Sequence, residues 1–162
     1  MGISISFQVE ARGPLFEGRP PEERLQESVE RGVEEVLRFG EEEVLRQIEG
    51  ADPYPPIFTG AFLRSIFAEV RGPVGEAVHG LIGSAAPYAP VIEFGRAPGR
   101  FPPIGPLKVW ARRRLGSEDL AWPVAMKIRK KGITARRVFE KALSPIEARA
   151  GEILEEVIAE DF

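Results

Sequence analysis

Apolar and polar residues alternate at the start of the chain, and the period then lengthens. The first apolar positions fall on every second residue, which predicts a strand with one buried face: Ile3, Ile5, Phe7 and Val9. From about Pro21 to Glu49, apolar residues recur every three or four positions among glutamates and arginines. This spacing predicts a long amphipathic helix. Gly32 and Gly40 lie inside it and indicate a slight bend or close packing at those points.

The middle of the chain predicts a hairpin. Prolines between Gly50 and Pro56 end the first helix and indicate a loop. Thr59 can cap a short helical turn over Gly60 to Arg64. Two strand-like runs then follow, Ser65 to Arg71 and Glu76 to Ser84, joined by a glycine- and proline-containing turn. An antiparallel pair is the simplest interpretation of this order.

The region after Pro87 is a series of short elements. Tyr88 to Phe94 is apolar with one carboxylate, and Gly95 can supply the left-handed residue that stops it. Arg96 to Pro106 predicts an extended, exposed loop. Two short helices are predicted next, Leu107 to Leu115 and Pro123 to Lys131, each followed by a glycine.

The last helix is predicted to begin at Ser144. Ser144-Pro145-Ile146-Glu147 has the form of a capping box with proline in the first helical position. Together these elements predict an α+β fold in which a small, mainly antiparallel sheet is covered by the long N-terminal helix and the C-terminal helix. We expect one domain over residues 1–162, with a mobile insert of a loop and two helices at about 95–132.

Composition argues against catalysis. The chain has no cysteine and a single histidine, His79, so thiolate sites, histidine-based zinc clusters and a hydrolase's nucleophile–base pair cannot be assembled. We expect no catalytic residue, no cofactor and no metal. No apolar run approaches the length of a membrane span, and the N-terminus lacks signal-peptide features, so synthesis in the cytoplasm is expected. The scarcity of methionine and the many Arg, Glu and Pro residues favour a heat-adapted source.

Charge is distributed unevenly along the chain. Residues 1–90 carry a net charge of -7 and residues 91–162 a net charge of +4, within a total of -3. Between Gly95 and Lys141 there are 13 basic residues against Glu118, Asp119 and Glu140. This polarity is typical of a subunit that touches a copy of itself or a polyanion.

The basic residues of this region are the candidate interface or DNA-facing set. They are Arg96, Arg100, Arg112, Arg113, Arg114, Lys127, Arg129, Lys130, Lys131, Arg136 and Arg137. They can contact DNA phosphates without reading sequence. The alternative is a solvated or subunit-facing basic surface, which the absence of any DNA-binding motif favours. Gly95 to Arg100 is not a phosphate loop, because no Lys-Ser/Thr pair follows it. Arginines on a proline-stiffened backbone suit an interface loop instead.

Four other residues have competing interpretations. Glu93 lies in an apolar stretch, where it either pairs with a cation, for which Arg64 is the preferred candidate, or points to solvent. His79 is interpreted as a packed or edge histidine of a strand. Trp110 and Trp122 are interpreted as core anchors.

Two motifs carry a family resemblance. The first is Thr59-Gly60-Ala61-Phe62-Leu63-Arg64-Ser65-Ile66 before a strand, and the second is Tyr88-Ala89-Pro90-Val91-Ile92-Glu93-Phe94-Gly95 after the next strand. This order resembles the tail-completion, or head–tail joining, family of long-tailed bacteriophages, also called minor tail components. The match covers Thr59 to Gly95 and continues more loosely to Ala142. Members often have threonine where this chain has Arg96, and a proline-aromatic-proline-alanine run where it has Arg137 to Ala142.

The resemblance implies a structural virion protein of the tail or neck that catalyses no reaction. Its copies would form a ring, usually a hexamer, between the connector or stopper protein and the tail-terminator or tail-tube protein. An inner rim of arginines would face the passing DNA. The competing hypothesis is a nucleic-acid-associated or toxin–antitoxin-like regulatory module that uses the basic 96–137 region.

Overall fold

In a computed structural model, the chain is described at residues 2–6, 22–51, 60–74 and 77–161. The fold is α+β, as predicted, and the long N-terminal helix packs against both the small antiparallel sheet and the C-terminal helix. The elements in chain order are β1 (Gly2–Ser6), α1 (Glu22–Glu49), β2 (Ile66–Val74), β3 (Ala77–Ser84), α2 (Ala89–Phe94), α3 (Ile104–Leu115), α4 (Ala121–Lys131) and α5 (Val138–Asp161). Short 3-10 turns lie at Leu63–Ser65 and Glu118–Leu120.

Contacts within the chain divide it into two compact units. The first, here called the sheet unit, consists of Met1–Pro87 and Val138–Phe162, and the second, the middle unit, consists of Tyr88–Arg137. The predicted insert at about 95–132 lies inside the middle unit. The expectation of a single domain stays a prediction.

The sheet has the strand order β1-β3-β2 and both pairings are antiparallel. The predicted hairpin is therefore confirmed as β2 and β3. Ile82 of the central strand lies opposite Ile3 on one side and Ala68 on the other. Along β2, Ile66 is buried whereas Phe67 and Glu69 are exposed, which matches a strand with one covered face. The predicted first strand is observed as far as Ser6, and its last predicted residues lie outside the described part.

Helix α1 agrees closely with its prediction and packs on both α5 and the sheet. Its buried apolar residues are Val33, Val36, Leu37, Val44 and Ile48. The two glycines mark close approaches, as expected. A Cβ at Gly32 would lie 2.7 Å from Leu154 Cδ2, and a Cβ at Gly40 would overlap Ile82 Cδ1. Hydrogen in place of a methyl group therefore lets both α5 and the sheet approach α1.

Helix α5 begins earlier than the sequence predicted. It runs without interruption from Val138, so Pro145 is inside the helix and the Ser144 capping box is not its start. Val138, Phe139 and Ala142 are 0%, 4% and 0% exposed, respectively. A proline inside a helix costs about 3 kcal/mol, because it cannot donate a backbone hydrogen bond and its ring clashes with the preceding turn. Burial of these three side chains offsets that cost. Packing thus overrides the local start signal.

The ends of α1 and α5 are joined by polar contacts. Ser28 is 1% exposed and its hydroxyl donates to Asp161 Oδ2 at 2.5 Å. The Arg31 guanidinium pairs with the same carboxylate. One residue of α5 thereby holds two of α1. In the part of the chain that the structure describes, no helix is both long enough and apolar enough to cross a bilayer.

Candidate interaction surface

The middle unit buries small residues and exposes large ones. All of its residues are described, and its fully buried apolar residues are all alanines: Ala89, Ala111, Ala121 and Ala125. Its exposed large apolar residues are Tyr88, Phe94, Phe101, Val109, Leu115, Leu120 and Trp122. The described sheet unit contributes only Phe67 to this class. Large apolar side chains that remain exposed favour an interaction surface on this unit.

Backbone hydrogen bonds close the middle unit. Arg96 and Ile133 exchange two bonds, each 2.8 Å long. The carbonyls of Ile92 and Glu93 accept from the amides of Arg136 and Arg137 at 2.8 and 3.1 Å. We call these four bonds the backbone clasp. The end of α2 is thereby tied to the segment that follows α4.

Two glycines allow the clasp to form. Gly95 and Gly132 have φ values of 72° and 74°, in the region that side chains disfavour. A Cβ at Gly95 would overlap the Ile133 carbonyl, and a Cβ at Gly132 would overlap the Arg96 carbonyl. Gly95, which ends the second family motif, is therefore required both by its φ angle and by the nearby Ile133 carbonyl.

Three side chains stack on the surface of the middle unit. The rings of Phe101 and Trp122 are 5.3 Å apart and inclined by 21°, and the Arg129 guanidinium carbon lies 4.8 Å from the centre of the Phe101 ring. Trp122 and Arg129 are seven residues apart on α4 and so share one face of it. We call these residues the aromatic–arginine cluster. The prediction that Trp122 is a core anchor is wrong, because 59% of it is exposed.

The loop that carries Phe101 is anchored. Arg96 Nη2 donates to the carbonyls of Arg100 and Phe101 at 3.1 and 3.0 Å. The Gly99 amide donates to the Arg129 carbonyl at 2.8 Å. Residues 97–101 are exposed, as predicted for this loop. The loop thus presents Phe101 in a defined position rather than as a free end.

All eleven predicted basic residues lie in the middle unit. Arg112 pairs with Glu118, Arg96 binds its own loop, and Arg129 covers Phe101. Arg136 is half-buried. The other seven are exposed: Arg100, Arg113, Arg114, Lys127, Lys130, Lys131 and Arg137. The unit holds twelve basic and three acidic residues, which leaves ten basic and 22 acidic in the sheet unit.

The first family motif forms a tight turn ahead of β2. Gly60 has a φ of 70°, and its carbonyl accepts from the Arg64 amide at 3.0 Å. Leu63 is half-buried and Arg64 is exposed, whereas Thr59 lies outside the described residues. The sequence did not predict the contact that follows, in which Ser65 Oγ lies 2.8 Å from Ser84 Oγ. That hydroxyl pair links the start of β2 to the end of β3.

The structure decides two of the open interpretations. Glu93 is 4% exposed, so the interpretation that it points to solvent is wrong. Its pairing with Arg64 stays a prediction. His79 is half-buried in the central strand, between Ser6 and Arg71, so it is a packed histidine rather than an edge one.

The sheet unit has its own surface feature, a groove of about 500 Å³ between α1 and α5. Three half-buried apolar side chains line it: Phe39, Ile153 and Val157. It is also lined by five glutamates and three arginines: Glu34, Glu35, Glu42, Glu156, Glu160, Arg31, Arg38 and Arg149. We call it the helical groove. A hydrogen bond to Glu35 raises the pKa of the Arg38 guanidinium.

Carboxylates exceed cations in the helical groove. Each of the three arginines already forms an ion pair: Arg31 with Asp161, Arg38 with Glu35 and Glu42, and Arg149 with Glu152. Among the described residues, Glu34, Glu156 and Glu160 form no ion pair and are exposed. An apolar strip with unpaired carboxylates beside it is therefore open to a cationic, partly apolar partner.

Residues 2–6, 22–51, 60–74 and 77–161 contain no group of three side chains arranged to hold a metal ion. Comparisons with protein-family models, with curated proteins and with solved structures found no match to this chain.

Proposed function

We propose that this chain is a structural subunit of a bacteriophage tail or neck, in which its copies form a ring that completes the tail or joins it to the head connector. It catalyses no reaction, and it works in the virion after synthesis in the host cytoplasm. Its other neighbours in this role are the connector or stopper protein and the tail-terminator or tail-tube protein. The identification rests on the resemblance of Thr59 to Gly95 to the tail-completion family.

One observation carries the assembly role. The middle unit buries alanines, exposes seven large apolar residues and holds most of the positive charge, whereas the sheet unit holds most of the negative charge. A chain with two dissimilar, complementary surfaces makes heterologous contacts, and these close into a ring when the rotation between copies permits it. Adhesion between copies uses the exposed side chains that a solitary protein would leave in water.

The experiment that tests this role measures assembly and virion formation. We expect the purified chain to sediment as a ring-sized oligomer, alone or after addition of the neck and tail proteins encoded beside it. Deleting its gene from the phage genome should leave filled heads and tails that do not join, and supplying the chain should restore joined particles. Infectious virions formed without the chain would refute the proposal.

A second candidate function follows from the exposed cations of α4. Lys127, Lys130 and Lys131 all lie in its last two turns and are exposed, close in sequence to the ring of Trp122, which is 59% exposed. Lysines and an aromatic face are the usual parts of non-specific nucleic-acid binding. A regulatory module of this kind predicts strongly salt-dependent affinity for DNA. A gel-shift assay without binding at low salt would eliminate it.

A further inference from the structure

The aromatic–arginine cluster and the helical groove have complementary chemistry. The cluster offers the exposed indole of Trp122 with the Arg129 cation beside it, and Lys130 follows on the same helix. The groove offers an apolar strip of Phe39, Ile153 and Val157 next to unpaired carboxylates. Tryptophan and arginine are both enriched among the hot spots of protein interfaces.

We propose that the helical groove of one copy binds the aromatic–arginine cluster of a second copy. The inference rests on the proposed function, because it names the contact by which ring subunits would join. Trp122 would lie over the apolar strip, and Arg129 and Lys130 would face Glu34, Glu156 and Glu160. The groove volume of about 500 Å³ is in the range of sites that enclose small molecules, about 300–1,000 Å³, so one indole fits within it.

Charge complementarity favours another copy of this chain as the partner. The middle unit has nine more basic than acidic residues, and the sheet unit has twelve more acidic than basic residues. Each copy therefore attracts the opposite unit of the next copy and repels the like unit. The contact uses two different surfaces, so each subunit has one of each kind free to continue the assembly.

The anchored loop favours this contact further. Phe101 is held under Arg129 by the Arg96 hydrogen bonds and by the bond from Gly99. A surface that is already ordered loses little conformational entropy when it docks. The aromatic–arginine cluster is therefore preorganised for binding.

Introduced cysteines test the contact, because the natural chain has none. One variant, Glu156→Cys, places a thiol at the groove, and a second, Lys130→Cys, places one beside the cluster. A short bismaleimide is added to a mixture of the two purified variants. We expect cross-linked dimers in the mixture, and a ladder of trimers and larger species when both substitutions are in one chain. A head-to-tail contact extends in this way.

The controls separate this contact from chance collisions. Glu69→Cys and Lys108→Cys are exposed positions in the same two units but outside both surfaces, and their mixture should give no more dimer than unmixed chains. Adding Trp122→Ala to the reactive pair should weaken association at least about tenfold, as truncation of a hot-spot tryptophan does. High salt should weaken it as well.

The outcomes distinguish this inference from the function on which it rests. If sedimentation shows oligomers but the reactive mixture matches the control mixture, or Trp122→Ala leaves association unchanged, the contact is wrong and the ring stands. If no oligomer forms with or without neck proteins, both fail. If Trp122→Ala abolishes binding of single-stranded DNA while association is unchanged, the cluster serves nucleic acid and the inference is also refuted.

Discussion

The two units of this chain are stabilised in different ways. The sheet unit buries large aliphatic residues such as Val33, Ile48, Ile82 and Ile146, none more than 2% exposed. The middle unit buries alanines and is closed by the backbone clasp. Side-chain packing thus stabilises the first unit, and backbone geometry sets the shape of the second. Seven large apolar side chains of the middle unit remain exposed to solvent.

The two units can be monitored separately in solution. Both tryptophans, Trp110 and Trp122, belong to the middle unit. The two longest helices, α1 and α5, belong to the sheet unit. Tryptophan fluorescence therefore reports the middle unit, and far-UV circular dichroism reports mainly the sheet unit.

The largest expected effect is on the clasp. Gly132→Ala combines a backbone conformation that side chains disfavour with overlap of the Arg96 carbonyl. We expect a loss of about 4 kcal/mol from strain and overpacking together. Urea unfolding followed by fluorescence should move to much lower concentrations, while the circular dichroism transition moves less.

Gly116→Ala is the matched control for this substitution. Gly116 also has a positive φ, of 83°, but nothing lies within 4 Å of the position of a Cβ. It should cost only about 1 kcal/mol, the backbone term by itself. Equal losses in the two variants would mean that the clasp does not stabilise the middle unit.

Truncation in the sheet core is expected to be the next largest effect. Ile82 is 1% exposed in the central strand and touches α1 at Gly40. Ile82→Ala removes buried apolar volume and should cost about 3 kcal/mol. The loss is measured by urea unfolding followed by circular dichroism. Val157→Ala, at a half-buried position in the groove, serves as its control and should cost about 1 kcal/mol. A reversed order would contradict the assignment of the core.

A smaller effect is expected where the long helix meets the sheet. Gly40→Ala places a methyl group against Ile82 Cδ1 and 3.2 Å from Ile146 Cδ1. Overpacking should exceed the gain in helix propensity, for a net loss of about 1 kcal/mol in thermal unfolding. Gly151→Ala in α5 meets nothing within 4 Å, so it should raise stability by up to about 1 kcal/mol. Opposite signs are the critical result.

The smallest effect on stability is expected at the exposed indole. Trp122→Ala removes one stacked ring and should cost less than about 1 kcal/mol in the unassembled chain. Circular dichroism and the fluorescence of Trp110 measure it. A loss of unfolding free energy as large as that of Ile82→Ala would mean that Trp122 is part of the core, and it would contradict the contrast between the units.

The sequence was informative where buried positions repeat regularly. Helix α1 was predicted from Pro21 to Glu49 and begins at Glu22, because its apolar residues recur at helical spacing. The first turns of α5 also have apolar residues at helical spacing, but Pro145 made a later start more plausible. The buried residues of α5 include one at every fourth position: Val138, Ala142, Ile146, Ala150, Leu154 and Ile158. Reading that row through Pro145 would have found the start.

The middle unit could not be predicted in the same way. Arg96 and Ile133 bond across 37 positions of sequence, and no local pattern indicates such a pair. Trp122 was expected to be buried because large aromatic residues usually are. Helix α4 instead buries Ala121 and Ala125, four residues apart on one face, and leaves the indole outside. Which face a short helix covers depends on distant neighbours rather than on its own sequence.

The backbone clasp has a consequence for how this chain can diverge. Its bonds join main-chain atoms, and Gly95 and Gly132 are the two glycines at which a Cβ would overlap its carbonyls. None of the four clasp bonds uses a side chain, so exposed side chains between these glycines can change without loss of a clasp bond. Relatives could therefore replace Phe101, Trp122 and the arginines to suit new neighbours, while the same architecture carries them.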